Sequence, residues 1–257
     1  MSAGDELVHL EVDDRVATIT LDSPQNRNAL SRRLVAQLEG HLRAADAAQD
    51  VRVIVLTHTG GTFCAGADLA EAVEAGMEEG TRALLRLLRL VVSLATPVVG
   101  LVSGHVRAGG VGLVGACDVA VATDDSTFAF SEARLGLTPA IISLTTRSRL
   151  TDRDAAYTYL TGAPFSGTDA SRAGLVTCSV AQDRLHDEVQ DVVARLRAVS
   201  PQGLRETKAL LNRRVLERID GEGEALVALS ARLFASAEAR EGMAAFREKR
   251  PPRWVDG

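Results

Sequence analysis

Two glycine-bearing turns, 43 residues apart, constrain this chain more than anything else in it. The first, Phe63-Cys64-Ala65-Gly66-Ala67-Asp68-Leu69, comes shortly after the apolar run Val53-Ile54-Val55-Leu56. The second, Ala108-Gly109-Gly110-Val111-Gly112, comes shortly after Val98-Val99-Gly100-Leu101-Val102. Each reads as a buried strand running into a turn that opens a helix. Backbone N–H groups at a helix N-terminus have no partner inside the helix and bind negative charge. Two such donors aimed at one carbonyl oxygen form an oxyanion hole, which stabilises an enolate. Small residues suit that purpose because the backbone itself must come within reach of the ligand. The plainer alternative is a pair of tight strand-to-helix turns with no ligand between them.

The rest of the chain sets limits on that reading. A length of 257 residues allows one large core with a helical appendage, and 46% hydrophobic with 25% charged residues is ordinary for a globular protein. The formal charge of −5 argues against a nucleic-acid surface, although an acidic whole can still hold a local basic pocket. Three cysteines, Cys64, Cys117 and Cys178, are odd in number and read as free thiols in a reducing compartment. No window approaches the roughly 18 apolar residues of a membrane span, and no signal-peptide pattern is visible, so the expected location is the cytoplasm. The five histidines show no ligand spacing, so no metal site is expected.

Leu7–Val12 and Arg15–Leu21 read as a hairpin split by Asp13-Asp14, and Leu30, Leu34, Leu38 and Leu42 recur at helical spacing. Arg82, Arg86 and Arg89 line one face of a later helix, best read as a solvated face rather than an anion-binding one. Cys117–Ala122 reads as a further strand, so strands and helices alternate through residue 123 and argue for α/β layers. The segment after Gly174 carries one last strand and is then nearly all helix. Leu204, Lys208, Leu211, Val215 and Ile219 mark one helix, and Leu226, Leu229 and Leu233 mark another.

The first turn resembles the FxAGADL turn of the enoyl-CoA hydratase/isomerase (crotonase) superfamily, and Val102–Leu113 resembles its V-x-G-x-x-x-G-G-G-x-x-L segment. The likeness runs from Pro24-Gln25-Asn26-Arg27-Asn28-Ala29-Leu30 to the tail Glu241–Pro251. It implies an α/β fold, a spiral of ββα units over 1–195 with a C-terminal helical trimerisation region over 196–257. It also implies a homotrimer or a dimer of trimers, acting on an acyl-CoA thioester without a separate cofactor.

Residue by residue, the resemblance places the oxyanion donors at the backbone N–H groups of Ala67 and Gly109. It places one family glutamate at Glu132. The other falls on Gly112, which has no side chain. Arg27, Ala65 and Asp68 match positions that meet the CoA nucleotide, as do Phe246 and Lys249 from the last helix. Gly112, Leu88 and Ile141, with Met77 and Leu84 nearby, are the expected pocket walls. Leu135–Ser143 and Gly110–Asp118 further resemble a bacterial branch of methylglutaconyl-CoA-type hydratases that carry the same glycine. The leading expectation is therefore syn hydration of a 2-enoyl-CoA. A double-bond isomerase needs one group to take a proton and return it two carbons away, and a single glutamate fits that economically. A silent acyl-CoA-binding paralogue is the third reading. A nucleophilic Cys64 lacks an adjacent base, and His105 reads as a satisfied strand-end residue.

Overall fold

The computed structural model describes residues 6–68, 71 and 77–255, with the backbone alone at 77. The short helix expected from Asp68 onward falls largely outside the described residues.

The chain opens with β1 (Val8–Asp13) and β2 (Val16–Leu21), the expected antiparallel hairpin, in register Val8 with Leu21. α1 (Arg32–Ala47) follows, capped by the Ser31 side chain on the Leu34 N–H. From there three repeats each lay one strand in a large sheet and the next in a small one. These pairs are β3 (Val53–His58) with β4 (Thr62–Cys64), β5 (Val98–Val102) with β6 (His105–Arg107), and β7 (Val119–Thr123) with β8 (Thr127–Ala129). The large sheet has the order β1-β2-β3-β5-β7-β10, ending on β10 (Cys178–Val180); the small one is β4-β6-β8-β9, ending on β9 (Phe165–Ser166). This corrects the sequence reading: each glycine turn follows a short second strand, not the long apolar run itself.

The apolar runs are continuous because both faces of the large sheet are covered. On β3, Ile54 and Leu56 join the main core with Leu34, Leu38 and Leu42 of α1 and with Leu87, Leu88 and Val91 of α2 (Met77–Ser93). Val53 and Val55 point the other way, with Val99 and Val121, onto a second cluster. That cluster is closed by Leu185, Val189 and Val193. Before that outer helix the chain also forms α3 (Gly109–Ala116), α4 (Ala140–Thr146), α5 (Asp152–Thr161) and α6 (Gly167–Ala173). The outer helix is α7 (Leu185–Arg197). Cys117, read as strand from sequence, is instead the C-terminal cap of α3.

The tail holds α8 (Pro201–Phe234) and α9 (Ala237–Glu248). α8 is one helix where the sequence suggested two. Gly221 and Gly223 do not break it; a Cβ on Gly223 would stand 2.9 Å from Leu85 Cδ2, so that glycine lets α2 come close. The buried stripe of α8 runs through Lys208, Asn212, Ile219, Gly223 and Val227, while Leu211 is 73% exposed. Lys208 Nζ lies 2.7 Å from Asp118 Oδ2 and donates to the carbonyls of Thr96 and Val91. Asn212 donates to Val92 O and to Asp118 Oδ1. This satisfied polar cluster fixes α8 on the end of α2 and the start of β5; a buried charge is tolerated only when so paired.

The arginine face of α2 is likewise committed inside the molecule. Arg89 forks onto Asp220 at 2.7 and 3.1 Å, Arg82 pairs with Glu224 and Glu78, and Arg86 pairs with Glu79. The face stays solvent-exposed, as the sequence suggests, and two of its arginines, Arg82 and Arg89, also tie α2 to α8.

Candidate active site

The three groups singled out from the sequence follow three neighbouring strands. β4, β6 and β8 are parallel and adjacent in the small sheet. Ala67, Gly109 and Glu132 each come two or three residues past the C-terminal end of one of them. Side-by-side parallel strands deliver their following turns to one edge, as strand C-termini do in other α/β sites. All three residues line one cavity of about 730 Å³, a volume in the usual range for small-molecule sites.

The two turns touch. A Cβ built on Gly66, at φ +88°, would lie 3.2 Å from Gly109 N and 2.9 Å from Ala108 Cβ. Gly110 approaches as closely, since its Cβ would stand 2.7 Å from Cys64 O. Among the described residues Ala67 N–H makes no backbone hydrogen bond, and Gly109 is the first residue of α3, where no intrahelical acceptor exists. Both amides are thus open to a ligand oxygen. Ala108, the N-terminal cap of α3, holds φ 45° and ψ −116°, a conformation that glycine adopts freely and alanine does not. Replacing Ala108 with glycine should relieve that strain and raise stability by about 1 kcal/mol, read as a melting point higher by about 2–4 °C.

The loop before α1 braces the first turn. Leu30 N donates to Gly66 O at 2.8 Å, and Ala65 N donates to Arg27 O at 3.1 Å. Asn28, fully buried at φ 51°, gives its amide protons to Thr59 O and Thr62 O and accepts from Ser23 N. Asn28 escaped the sequence reading as a positioning residue, although an asparagine in an Asn-Arg-Asn loop is a signal for a left-handed turn with local hydrogen bonds.

Glu132 sits in a 3-10 turn, Ser131–Leu135, rather than in an open loop. α9 presses on that turn: a Cβ on Gly242 would stand 2.6 Å from the Leu135 carbonyl. The residue keeps partial exposure, but Glu132 Oε2 is sealed from solvent and has no hydrogen-bond partner among the described residues. Burial raises its pKa from 4.5 to about 7, the signature of an acid-base group poised near neutrality. The other cavity acids are engaged. Asp68 accepts from Asn26, Glu71 pairs with Arg32, and Glu79 pairs with Arg86. Among the described residues, Arg27, Arg107 and Arg134, which also line the cavity, have no carboxylate partner.

The remaining sequence expectations divide. Arg27, Ala65, Asp68 and Phe246 line the cavity, as do Ile141 and Leu84. Lys249 does not; it is exposed at the C-terminal cap of α9. Leu88 is a correction, being fully buried in the core and absent from the wall. On the same stripe of α2, Leu84 reaches the cavity and Leu88, one turn on, lies in the core. Gly112 is a second correction. Its missing side chain leaves no recess, because a Cβ there would meet Ile142 Cγ2 at 2.5 Å. Ile142 itself lines the cavity and was not anticipated. Cys64 is buried with its thiol pushed up to about 12, which removes it as a nucleophile. No group of residues that could hold a metal is present among the described residues. A separate hollow of about 340 Å³, bordered by Arg15, Arg52 and Arg197, shares no residue with the cavity.

The arrangement can bind a carbonyl oxygen at two amides and present one carboxylate to the atoms beside it. Comparison with known proteins places the chain in a family. Residues 11–257 match the family model described as enoyl-CoA hydratase/isomerase. A Rhizobium meliloti protein named "Probable enoyl-CoA hydratase" is 34% identical over 248 residues, 95% of this chain and 96% of that one. The zebrafish (Danio rerio) enoyl-CoA hydratase domain-containing protein 3 is 30% identical over 246 residues, 93% of this chain and 84% of its own length. The crystal structure of an enoyl-CoA hydratase from Mycobacterium avium superposes with a TM-score of 0.91 at 49% identity, covering 99% of this chain and 100% of that one. With the strand-end turns, the paired amides and the matched span in agreement, the chain belongs to the enoyl-CoA hydratase/isomerase family.

Proposed function

We propose that the protein is an enoyl-CoA hydratase that works with a single carboxylate. The thioester oxygen of a 2-enoyl-CoA sits between the N–H groups of Ala67 and Gly109. The Glu132 carboxylate takes a proton from water as its oxygen bonds to C3. The displaced π electrons move onto the thioester oxygen as an enolate, which those amides hold. Glu132 then gives the same proton to C2 on the same face, so one group serves as base and then acid. The observation that carries this reading is the unpartnered Glu132 Oε2 in the cavity that the two open amides also line. Arg27 at the mouth suits the CoA phosphates, and the exposed Phe246 suits the adenine.

A second reading is favoured by the closed recess at Gly112. With no second carboxylate to hold water, Glu132 suits the shift of a 3-enoyl to a 2-enoyl thioester, taking a proton from C2 and returning it to C4. Short, branched and carboxylated 2-enoyl-CoAs, together with a 3-enoyl-CoA, separate the two. Loss of enoyl absorbance with the 2-enoyl substrates supports hydration, and its appearance only with the 3-enoyl substrate supports isomerisation. Tight CoA binding without turnover of either would overturn both.

A further inference from the structure

Ile142 is the residue that the closed recess brings forward. A Cβ at Gly112 would lie 2.5 Å from Ile142 Cγ2 and 2.9 Å from Ile142 Cβ, so the isoleucine occupies the place of a side chain at 112. It is 2% exposed, yet it forms part of the cavity wall beside Ile141. The polar atoms behind it are already used. Gly112 N donates to Ala108 O at 3.3 Å, and Gly112 O accepts from the Thr145 hydroxyl at 2.8 Å. A fixed water needs about two to four polar partners, and this wall offers it none.

We propose that Ile142 sets the partition between hydration and double-bond shift at this site, by denying the nucleophilic water a second anchor. The inference rests on the enoyl-CoA reading above. Hydration must hold a water against C3 while Glu132 removes its proton; the double-bond shift moves a proton between C2 and C4 through Glu132 with no water bound. A methyl group in place of a hydrogen-bonding group therefore weighs only against the first reaction. Ile142 lines the same cavity as Glu132 without taking part in the proton transfers.

The test uses Ile142→Thr, which keeps the β-branch and adds a hydroxyl, with Ile142→Val as the apolar control and Ile142→Ala as a variant that opens space. For each, kcat/KM is measured for hydration of a 2-enoyl-CoA and for isomerisation of a 3-enoyl-CoA, with a melting curve to verify folding. The ratio of hydration to isomerisation should rise about tenfold in Ile142→Thr, one hydrogen bond's worth, and stay within about twofold in Ile142→Val. Should Ile142→Thr not fold, Ile142→Ala carries the comparison, with a rise in the ratio again expected. Equal ratios in the polar or opened variant and in Ile142→Val would overturn the role of Ile142 while leaving the enoyl-CoA reading in place. A wild type that turns over neither thioester would instead remove the enoyl-CoA reading, and this inference with it.

Discussion

Glu132→Gln is expected to lower kcat by about 10³-fold or more while leaving thioester binding nearly intact. One general acid-base group typically contributes 10²–10⁴-fold, and in the proposed mechanism a single carboxylate carries both proton movements, which places the expected loss toward the upper part of that range. The amide is isosteric, so the cavity and its two open N–H groups stay in place. The pH profile gives an independent check. Glu132 must be ionised to act as base, and burial sets its pKa at about 7. In the wild type, kcat/KM should therefore fall as the pH drops below about 7, and Glu132→Gln should lose that limb. A wild-type profile flat down to pH 5 would remove Glu132 from the mechanism.

The same substitution should stabilise the fold. The folded protein holds the Glu132 proton more tightly than the unfolded chain, whose carboxyl titrates near 4.5. Below that pH the group costs nothing; stability then falls as the pH rises toward about 7 and stays reduced above it. At pH 8 the penalty is at most about 3 kcal/mol, which Glu132→Gln removes. Denaturant titrations of both proteins at pH 5 and pH 8 should show the difference growing with pH. A gain in stability with a loss of turnover is what a strained catalytic group predicts and what a structural one does not.

Gly66→Ala is the second large effect, expected to lower kcat about 10²-fold and to cost about 2 kcal/mol of stability. The backbone at φ +88° suits glycine, and the added Cβ would stand 2.9 Å from Ala108 Cβ and 3.2 Å from both Arg107 O and Gly109 N. None of those neighbours is the far end of a flexible side chain, so the two turns must part. Separating them would misalign one of the two proposed oxyanion donors, and the loss of one such donor is worth about 10²–10³ in kcat. The substrate affinity should change much less than kcat, because the hole binds the enolate more strongly than the neutral thioester. Equal losses in KM and kcat would mean that the turn shapes the pocket rather than the transition state.

Much of this architecture was legible in the residues. The apolar runs 53–56 and 98–102, the glycines at 66 and 109–110, and Ser31 before a leucine stripe each carry a local physical meaning that survives into the fold. Burial of a polar side chain is different, because it depends on partners far along the chain. Leu211, one of the residues that mark the helix, is exposed, while Lys208 and Asn212 are buried because Asp118 and the carbonyls at 91, 92 and 96 meet them. The short strands 62–64, 105–107 and 127–129 were equally hidden, since three residues carry too little periodicity to be read alone.

By itself the sequence determined which groups are available: two small-residue turns with free amides, one glutamate, and a glycine where a second acid might stand. Only the tertiary structure decided that the small sheet lines up β4, β6 and β8 so that those groups share one cavity. It also decided that Glu132 is sealed and that Ile142 closes the place beside Gly112. The physical reason is that free amides and side-chain types are local properties of the chain, whereas proximity, desolvation and the filling of space arise only where distant segments pack together.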